Sequence, residues 1–166
     1  MGRWRPPPER SSPYITPQGA LALRSQLSEL WQRRRTEVVP ALSAAAAEGD
    51  RSENAEYIYR KKQLGEIDRK IRYLSKRLEV IQVVARPPDR RDRVYFGAQV
   101  KIEDADGTCH TYRIVGADET DSAPRLISID SPLARALLGR SPGDRVTVEM
   151  PDKSAEYLLV SVSYQD

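Results

Sequence analysis

The chain has 166 residues, of which 39% are hydrophobic and 31% are charged, with a formal net charge of +3. This composition indicates a soluble protein, and it is too polar for one large hydrophobic core, so an elongated helical part with a small packed domain fits better. No apolar run approaches the roughly 18 residues of a transmembrane helix, and the start of the chain has no apolar signal core. The single cysteine, Cys109, excludes an internal disulfide, and with the neighbouring His110 it is too small a set of ligands for a metal site. These features favour a cytoplasmic protein with no membrane partner.

The charges are distributed unevenly. Residues 48–56 carry four acids and one base, a net charge of −3, whereas residues 60–77 carry eight basic and two acidic side chains, a net charge of +6. An acidic segment therefore stands next to a strongly basic one.

The first predicted elements are a disordered arm and a long helix. Residues 1–13 are rich in proline and arginine and poor in apolar residues, which is typical of disorder. Thr16 followed by Pro17 predicts a helix start with Thr16 as the N-cap. Pro40 predicts a kink, because proline removes a backbone hydrogen bond, and Gly49 predicts the C-cap of this helix. An apolar heptad seam runs along it through Ala20, Leu23, Leu27, Leu30, Val38, Ala41 and Ala45.

A second helix is predicted from Ser52 to about Val84. At 1.5 Å per residue it would be roughly 50 Å long. Asp68 and Arg72, four residues apart, are an acid–base pair that supports an exposed helix face. Two such helices joined by a short turn predict an antiparallel coiled-coil hairpin over residues 14–86. Its second apolar seam consists of Leu64, Ile67, Ile71, Leu74, Leu78 and Ile81.

The remainder of the chain has the pattern of a small α+β domain. Residues 87–92 contain two prolines and predict a linker. Residues 93–166 then alternate as strands do, with Asp106-Gly107 as a hairpin turn. The predicted fold class is α+β, with the helical hairpin followed by an antiparallel β-sheet domain that has one short helix. The strands are predicted at 94–102, 111–115, 126–129, 145–150 and 157–164, and the short helix at 133–138.

The turn of the hairpin carries three carboxylates, Asp50, Glu53 and Glu56. Asp50 and Glu53 have the spacing of a capping box, which is a sufficient structural explanation for them. The cluster is also suited to a cation, since Mg²⁺ is often held by one or two carboxylates together with phosphates and water. Because the turn has no histidine or nucleophile, the acids could complete only a site that a partner supplies.

The basic segment also has two interpretations. Charged residues on an exposed coiled-coil helix are usually solvated. Lys62, Arg69 and Lys76 are seven residues apart and therefore share a face, with Arg72 and Tyr73 nearby. Such a stripe fits contact with the phosphate backbone of a single nucleic-acid strand.

Several runs together resemble one family. Gly49 to Tyr57 (GDRSENAEY) is similar to the hairpin turn of the bacterial Gre transcript-cleavage factors, and the basic run from Tyr59 to Leu74 resembles their GreB branch. Tyr112 to Gly116 and Ile127 to Leu138 resemble that branch as well. The likeness extends over roughly residues 14–165, in the same order along the chain.

The resemblance implies a fold, a partner and a set of site residues. The family has an N-terminal coiled coil and a C-terminal FKBP-like domain, which docks at the rim of the RNA polymerase secondary channel while the coiled coil enters it. Asp50 and Glu53 would be the catalytic pair that shares the second Mg²⁺ with the polymerase and activates water to cut the 3′ end of backtracked RNA. Asn54, Glu56 and Tyr57 would support the turn. The basic patch facing the RNA would be Lys61, Lys62, Arg69, Arg72 and Lys76, and the polymerase-binding residues would be Asp130, Ser131 and Pro132.

The leading hypothesis is therefore a monomeric cofactor of RNA polymerase that is not itself an enzyme and binds no metal alone. An alternative is a regulator that occupies the secondary channel without promoting cleavage, although the intact Asp50 and Glu53 argue against it. A prolyl isomerase, suggested by the FKBP-like domain alone, is a third hypothesis, and fold does not imply function.

Overall fold

The computed structural model describes residues 11–49 and 53–165. They fall into two compact units, described separately below. The helical unit contains the described residues of 20–80, and the sheet unit contains 11–19 and 81–165. Within these described ranges, no helix combines the length and hydrophobicity needed to cross a bilayer.

Helices account for the helical unit almost entirely. The first predicted helix is divided into α1 (Pro17–Arg33), a π-helical segment (Arg34–Val38) and α2 (Val39–Ala46). The π segment lies directly before Pro40, where a kink is predicted. The N–H of Val39 bonds to the Arg34 carbonyl, five residues back, and the next residue has no N–H to donate. The second predicted helix is α3 (Ala55–Val80).

The two apolar seams form the core of the helical unit, as their spacing predicts. Val38, Ile67 and Ile71 are buried together, and Leu27, Leu30 and Leu64 pack against them half-buried. Burial of a side chain of this size stabilises the fold by about 1.5–3 kcal/mol. The small Ala45 is also buried, 3% exposed, where α2 packs against α3 near the turn.

Both ends of the second helix differ from the prediction. It begins at Ala55 rather than Ser52, and it ends at Val80 rather than Val84. Residues after Val80 instead form β2 (Gln82–Val83), which pairs in parallel with β1 (Tyr14–Ile15) in the sheet unit. The backbone partners of β2 are the two residues of β1, near the start of the chain. No pattern of neighbouring residues predicts this pairing.

The first helix also ends earlier than predicted. Its last helical residue is Ala46 and its C-cap is Ala47, so Gly49 is not the C-cap. Gly49 lies in the turn with φ of +127°, a conformation that favours glycine.

A five-stranded sheet dominates the sheet unit, with strand order β5-β4-β3-β7-β6. All its pairs are antiparallel except β4–β5, which is parallel and departs from the predicted all-antiparallel arrangement. The predicted strand 94–102 is shortened because Gly97 turns the chain with φ of +86°. The strands are β3 (Gln99–Glu103), β4 (Cys109–Val115), β5 (Leu126–Ser128), β6 (Arg145–Glu149) and β7 (Ser154–Ser163), and the short helix is α4 (Pro132–Leu137). The α+β class, with a helical hairpin followed by a sheet domain, is thus confirmed.

One face of the sheet packs against α4. Ile102, Ile114 and Leu159 from three neighbouring strands are fully buried together with Leu137 of the helix. Alternation along β3 places Val100 and Ile102 in the core while Gln99 and Lys101 face solvent. The alternation of apolar and polar residues that predicted the strands therefore also places the apolar side chains in this core.

The start of α1 is fastened within the sheet unit. Thr16 caps the helix as predicted, since the N–H of Gly19 donates to its hydroxyl at 3.0 Å. Both the N–H and the hydroxyl of Thr16 donate to the carboxylate of Glu119, which is 7% exposed and also accepts from the N–H of Gly116 at 2.7 Å. A carboxylate is thus buried at the positive end of a helix, where it is favourable. Residues 11–13, the end of the predicted arm, are described and lie in this unit, and Pro13 accepts a backbone bond from Gln82 at 2.8 Å.

Candidate functional site

Asn54 organises the described part of the hairpin turn. Its side-chain carbonyl accepts from the N–H of Tyr57 at 3.1 Å, so it caps α3. Its side-chain amide donates to the carbonyl of Ala45 at 2.7 Å, which ties the start of α3 to the end of α2. The structure therefore assigns the cap of this helix to Asn54, and the capping box predicted from Asp50 and Glu53 is wrong for the helix as it forms. Asp50 itself lies outside the described residues.

This assignment changes the structural explanation for Glu53. With Asn54 at the cap, Glu53 lies one residue outside the helix and its side chain is exposed. Among the described residues, no hydrogen bond or ion pair engages its carboxylate. As far as residues 11–49 and 53–165 are concerned, both oxygens of Glu53 are available to a ligand.

Glu56 is in a different state. Its carboxylate lies 2.8 Å from Nε of Arg60, one helical turn later, with its side chain 55% exposed. The hydrogen bond that the Arg60 guanidinium donates to Glu56 raises the pKa of Arg60. The same guanidinium donates to Gln63 at 3.0 Å and lies over the ring of Tyr59. Glu56 is thus partly neutralised, which fits a supporting role better than a ligand role.

The predicted basic patch lies on the exposed face of α3. Its five members lie on the side of the helix opposite the buried residues Ile67, Ile71 and Leu74. In the described part of the chain, none of the five is paired with an acid. The exposed members are Lys61, Lys62, Arg69, Arg72 and Lys76.

One predicted pairing on this helix is replaced by another. Asp68 does not pair with Arg72 but with Arg34 of the π segment, whose Nε lies 2.8 Å from its carboxylate. Arg34 also lies over the exposed ring of Trp31, 5.8 Å from its centroid. Asp68 therefore links α3 to the π segment, and Arg72 remains on the exposed face without this acid as its partner.

Two large side chains close to the turn are exposed. Ile58 and Tyr59, in the first turns of α3, are 53% and 58% exposed. In the sequence they lie between the exposed Glu53 and the start of the basic patch. Their exposure follows from their positions off the heptad seam.

The three residues predicted to bind polymerase lie together before and at the start of α4. The side chain of Ser131 caps the helix by accepting from the N–H of Ala134 at 3.3 Å, and Pro132 occupies the first turn and is exposed. The half-buried Asp130 accepts two hydrogen bonds from Ser12, at 2.8 Å and 2.5 Å. No sequence pattern links Ser12 to this loop, because 118 positions separate it from Asp130.

His110 is engaged in a turn rather than with other metal ligands. Its Nε2 lies 2.9 Å from Oδ2 of Asp104, and this bond lowers the pKa of the Asp104 carboxyl. The other oxygen of Asp104 accepts from the N–H groups of Asp106 and Thr108, each at 3.0 Å. The pair therefore holds the β3–β4 hairpin closed.

Comparison with known proteins places these features in context. Residues 13–83 match the family "Transcription elongation factor, N-terminal", and residues 88–164 match "Transcription elongation factor, GreA/GreB, C-term". The chain is 58% identical to transcription elongation factor GreB of Xanthomonas axonopodis pv. citri, with 99% of this chain and 98% of that protein covered. It is 53% identical to transcription elongation factor GreB of Pseudomonas aeruginosa, with 99% and 98% covered. A solved structure of GreA factor homolog 1 from Thermus thermophilus aligns over 90% of this chain and 97% of its own, with 23% identity and a TM-score of 0.42.

Proposed function

This chain belongs to the GreA/GreB family of transcription elongation factors, and from that premise we propose that it binds RNA polymerase and stimulates the polymerase to cut the 3′ end of backtracked RNA. The observation that carries the proposal is the exposed carboxylate of Glu53, which the capping of α3 by Asn54 leaves unused. The helical hairpin enters the secondary channel of the polymerase, and arrested complexes are rescued by cleavage.

The acids of the turn fit a shared magnesium ion. Asp50 and Glu53 would hold it together with the active centre of the polymerase, because Mg²⁺ takes hard oxygen ligands and is commonly bound by one or two carboxylates. A second metal in a phosphoryl-transfer site supplies an activated water and neutralises the leaving oxygen. Asn54 contributes by fixing where the turn leaves α2, and Tyr57 and Glu56 contribute by completing the first turn of α3.

The basic patch on α3 has a complementary role. Its five exposed cations, Lys61, Lys62, Arg69, Arg72 and Lys76, contact the phosphates of the extruded RNA. The absence of acidic partners for them in the described residues supports this, since a cation already paired contributes less to phosphate binding. Their contribution falls as the salt concentration rises.

Docking is assigned to the loop before α4. Asp130, Ser131 and Pro132 would contact the rim of the channel. The cap by Ser131 and a 3.0 Å hydrogen bond from the N–H of Asp130 to the Ser128 hydroxyl give this segment a defined backbone. The protein acts as a cofactor, because its turn supplies ligands to a catalytic centre that belongs to the polymerase. We place it in the cytoplasm with its partner, as a monomer that holds no Mg²⁺ when alone.

Transcript cleavage in a stalled elongation complex tests the proposal. Asp50→Ala and Glu53→Ala should each abolish shortening of the RNA from its 3′ end while polymerase binding stays nearly intact. Glu53→Gln, which keeps the shape and removes the charge, should fail as well. Glu48→Ala is the matched control, because Glu48 is an exposed acid of the same turn to which no role is assigned.

The results separate the two polymerase-binding hypotheses. If the wild-type protein binds at saturation but no RNA is cut, it is a regulator that occupies the channel without cleavage. If both acid variants cut RNA at the wild-type rate, the catalytic assignment is wrong.

A further inference from the structure

Ser12 makes a two-point contact with Asp130 from the other end of the chain. The N–H of Ser12 donates to one carboxylate oxygen at 2.8 Å and its hydroxyl donates to the other at 2.5 Å. The N–H of Asp130 in turn donates to the hydroxyl of Ser128 at 3.0 Å. Both the backbone and the side chain of Asp130 are therefore held in one orientation.

This contact leaves Asp130 able to bind a partner. Both donors from Ser12 are neutral groups, a backbone N–H and a hydroxyl, so the contact places no cation beside the Asp130 side chain. Each carboxylate oxygen can accept more than one hydrogen bond, and each has received one from Ser12. The side chain is half-buried rather than enclosed, so a cation or N–H donor can reach it.

The contact is not the main fastening of the chain segment that carries it. Pro13 accepts a backbone bond from Gln82 of β2 at 2.8 Å, and Ile15 accepts one from Val84, the residue after β2, at 2.9 Å. Thr16 is held by the buried Glu119. Because three further attachments follow within four residues, removal of the Ser12 hydroxyl should leave the segment in place.

We infer that Ser12 is a positioning residue that pre-orients the Asp130 carboxylate for docking. The inference rests on the proposed function, in which Asp130 contacts the polymerase. A side chain ordered before binding loses less conformational entropy on binding, and the saving for one side chain corresponds to about a 2- to 10-fold change in affinity. The chemistry of the contact calls for a cationic or N–H-donating group on the polymerase surface opposite Asp130.

A double-mutant cycle on the full chain tests the inference. Ser12→Ala, Asp130→Ala and the double variant are titrated into stalled elongation complexes, and the concentration for half-maximal cleavage and the rate at saturation are measured. Ser12→Ala removes the hydroxyl bond and keeps the backbone N–H bond, so it should raise the half-maximal concentration by part of the full saving, about 2- to 5-fold, without changing the saturated rate or the melting temperature. Ser12→Thr, which restores a hydroxyl, should recover the wild-type value, and Ser161→Ala, an exposed serine on β7, should have no effect.

In the Asp130→Ala background, Ser12→Ala should add nothing, because the group it positions is gone. If Ser12→Ala weakens binding equally in the Asp130→Ala background, the inference is wrong. It is also wrong if Asp130→Ala weakens binding while Ser12→Ala alone leaves binding unchanged. In both cases the docking assignment still stands. Tighter binding by Ser12→Ala also overturns the inference, since Ser12 would then compete with the polymerase. Unchanged binding by Asp130→Ala shows instead that the docking part of the proposed function is wrong, and the inference falls with it.

Discussion

Replacement of Asn54 should loosen the hairpin turn by an amount that its two hydrogen bonds define. The side chain caps α3 through the N–H of Tyr57 and bridges to the carbonyl of Ala45. Loss of an N-cap costs about 1 kcal/mol, and loss of a hydrogen bond to a part-buried carbonyl costs about 1 kcal/mol more. Asn54→Ala should therefore lower the free energy of unfolding of the helical unit by about 2 kcal/mol.

Asn54→Ser separates the two contributions. Serine caps a helix about as well as asparagine, but its side chain is too short to span the distance to Ala45. This variant should lose about 1 kcal/mol, the bridge alone. Urea unfolding followed by far-UV circular dichroism measures both variants, and hydrogen exchange at the Tyr57 amide should accelerate in Asn54→Ala more than in Asn54→Ser.

Two outcomes would refute this reasoning. If Asn54→Ser destabilises the helical unit as much as Asn54→Ala, the cap contributes nothing measurable. If both variants stay within about 0.3 kcal/mol of the wild type, a value typical of surface changes without such contacts, neither bond stabilises the turn. The cleavage assay should follow the same order, wild type above Ser above Ala, because the bridge fixes the part of the turn that carries Glu53.

Further predictions concern the sheet unit and the start of α1. Gly19→Ala should destabilise the protein by about 1–3 kcal/mol, since a Cβ there would overlap the buried Glu119 side chain, with Cγ only 2.7 Å away. Gly65→Ala, which meets nothing within 4 Å, is the matched control and should stabilise α3 by up to about 1 kcal/mol. The pKa of Asp104 is lowered by His110, so its contribution is present above the ordinary value of 3.8 and is lost as the pH falls through the lowered folded value. Acid unfolding of Asp104→Asn should accordingly be less steep below about pH 4 than that of the wild type, and equal steepness would contradict this.

Local patterns were sufficient for much of the fold. The heptad spacing that includes Leu64, Ile67 and Ile71 predicted the helical hairpin and its core, because residues three and four apart share one face of a helix. The alternation along β3 predicted its buried face for the equivalent reason in a strand. Thr16 was recognisable as a cap because its partner lies three residues away.

The local surroundings of the candidate site residues were predictable only in part. The exposure of the basic residues follows from their position opposite the seam, and the acids of the turn follow from composition. The cap of α3 was misassigned to Asp50, since both Asp50 and Asn54 are good capping residues and spacing alone does not choose between them. The choice is made by the bridge to Ala45, which exists only when α2 and α3 are packed together.

The amino-acid order by itself determined the long helices, the strands of the five-stranded sheet, the apolar faces and the places where charges accumulate, because each of these depends on neighbours within one or two turns. Tertiary structure alone decided the partners that lie far away in the chain. Asp68 forms an ion pair with Arg34 instead of its predicted partner Arg72, and the buried Glu119 accepts a hydrogen bond from the N–H of Thr16. The residues after α3 form a strand that pairs with β1. The physical reason is that these contacts form between groups 34 to 103 positions apart, where only the packed fold sets the distance.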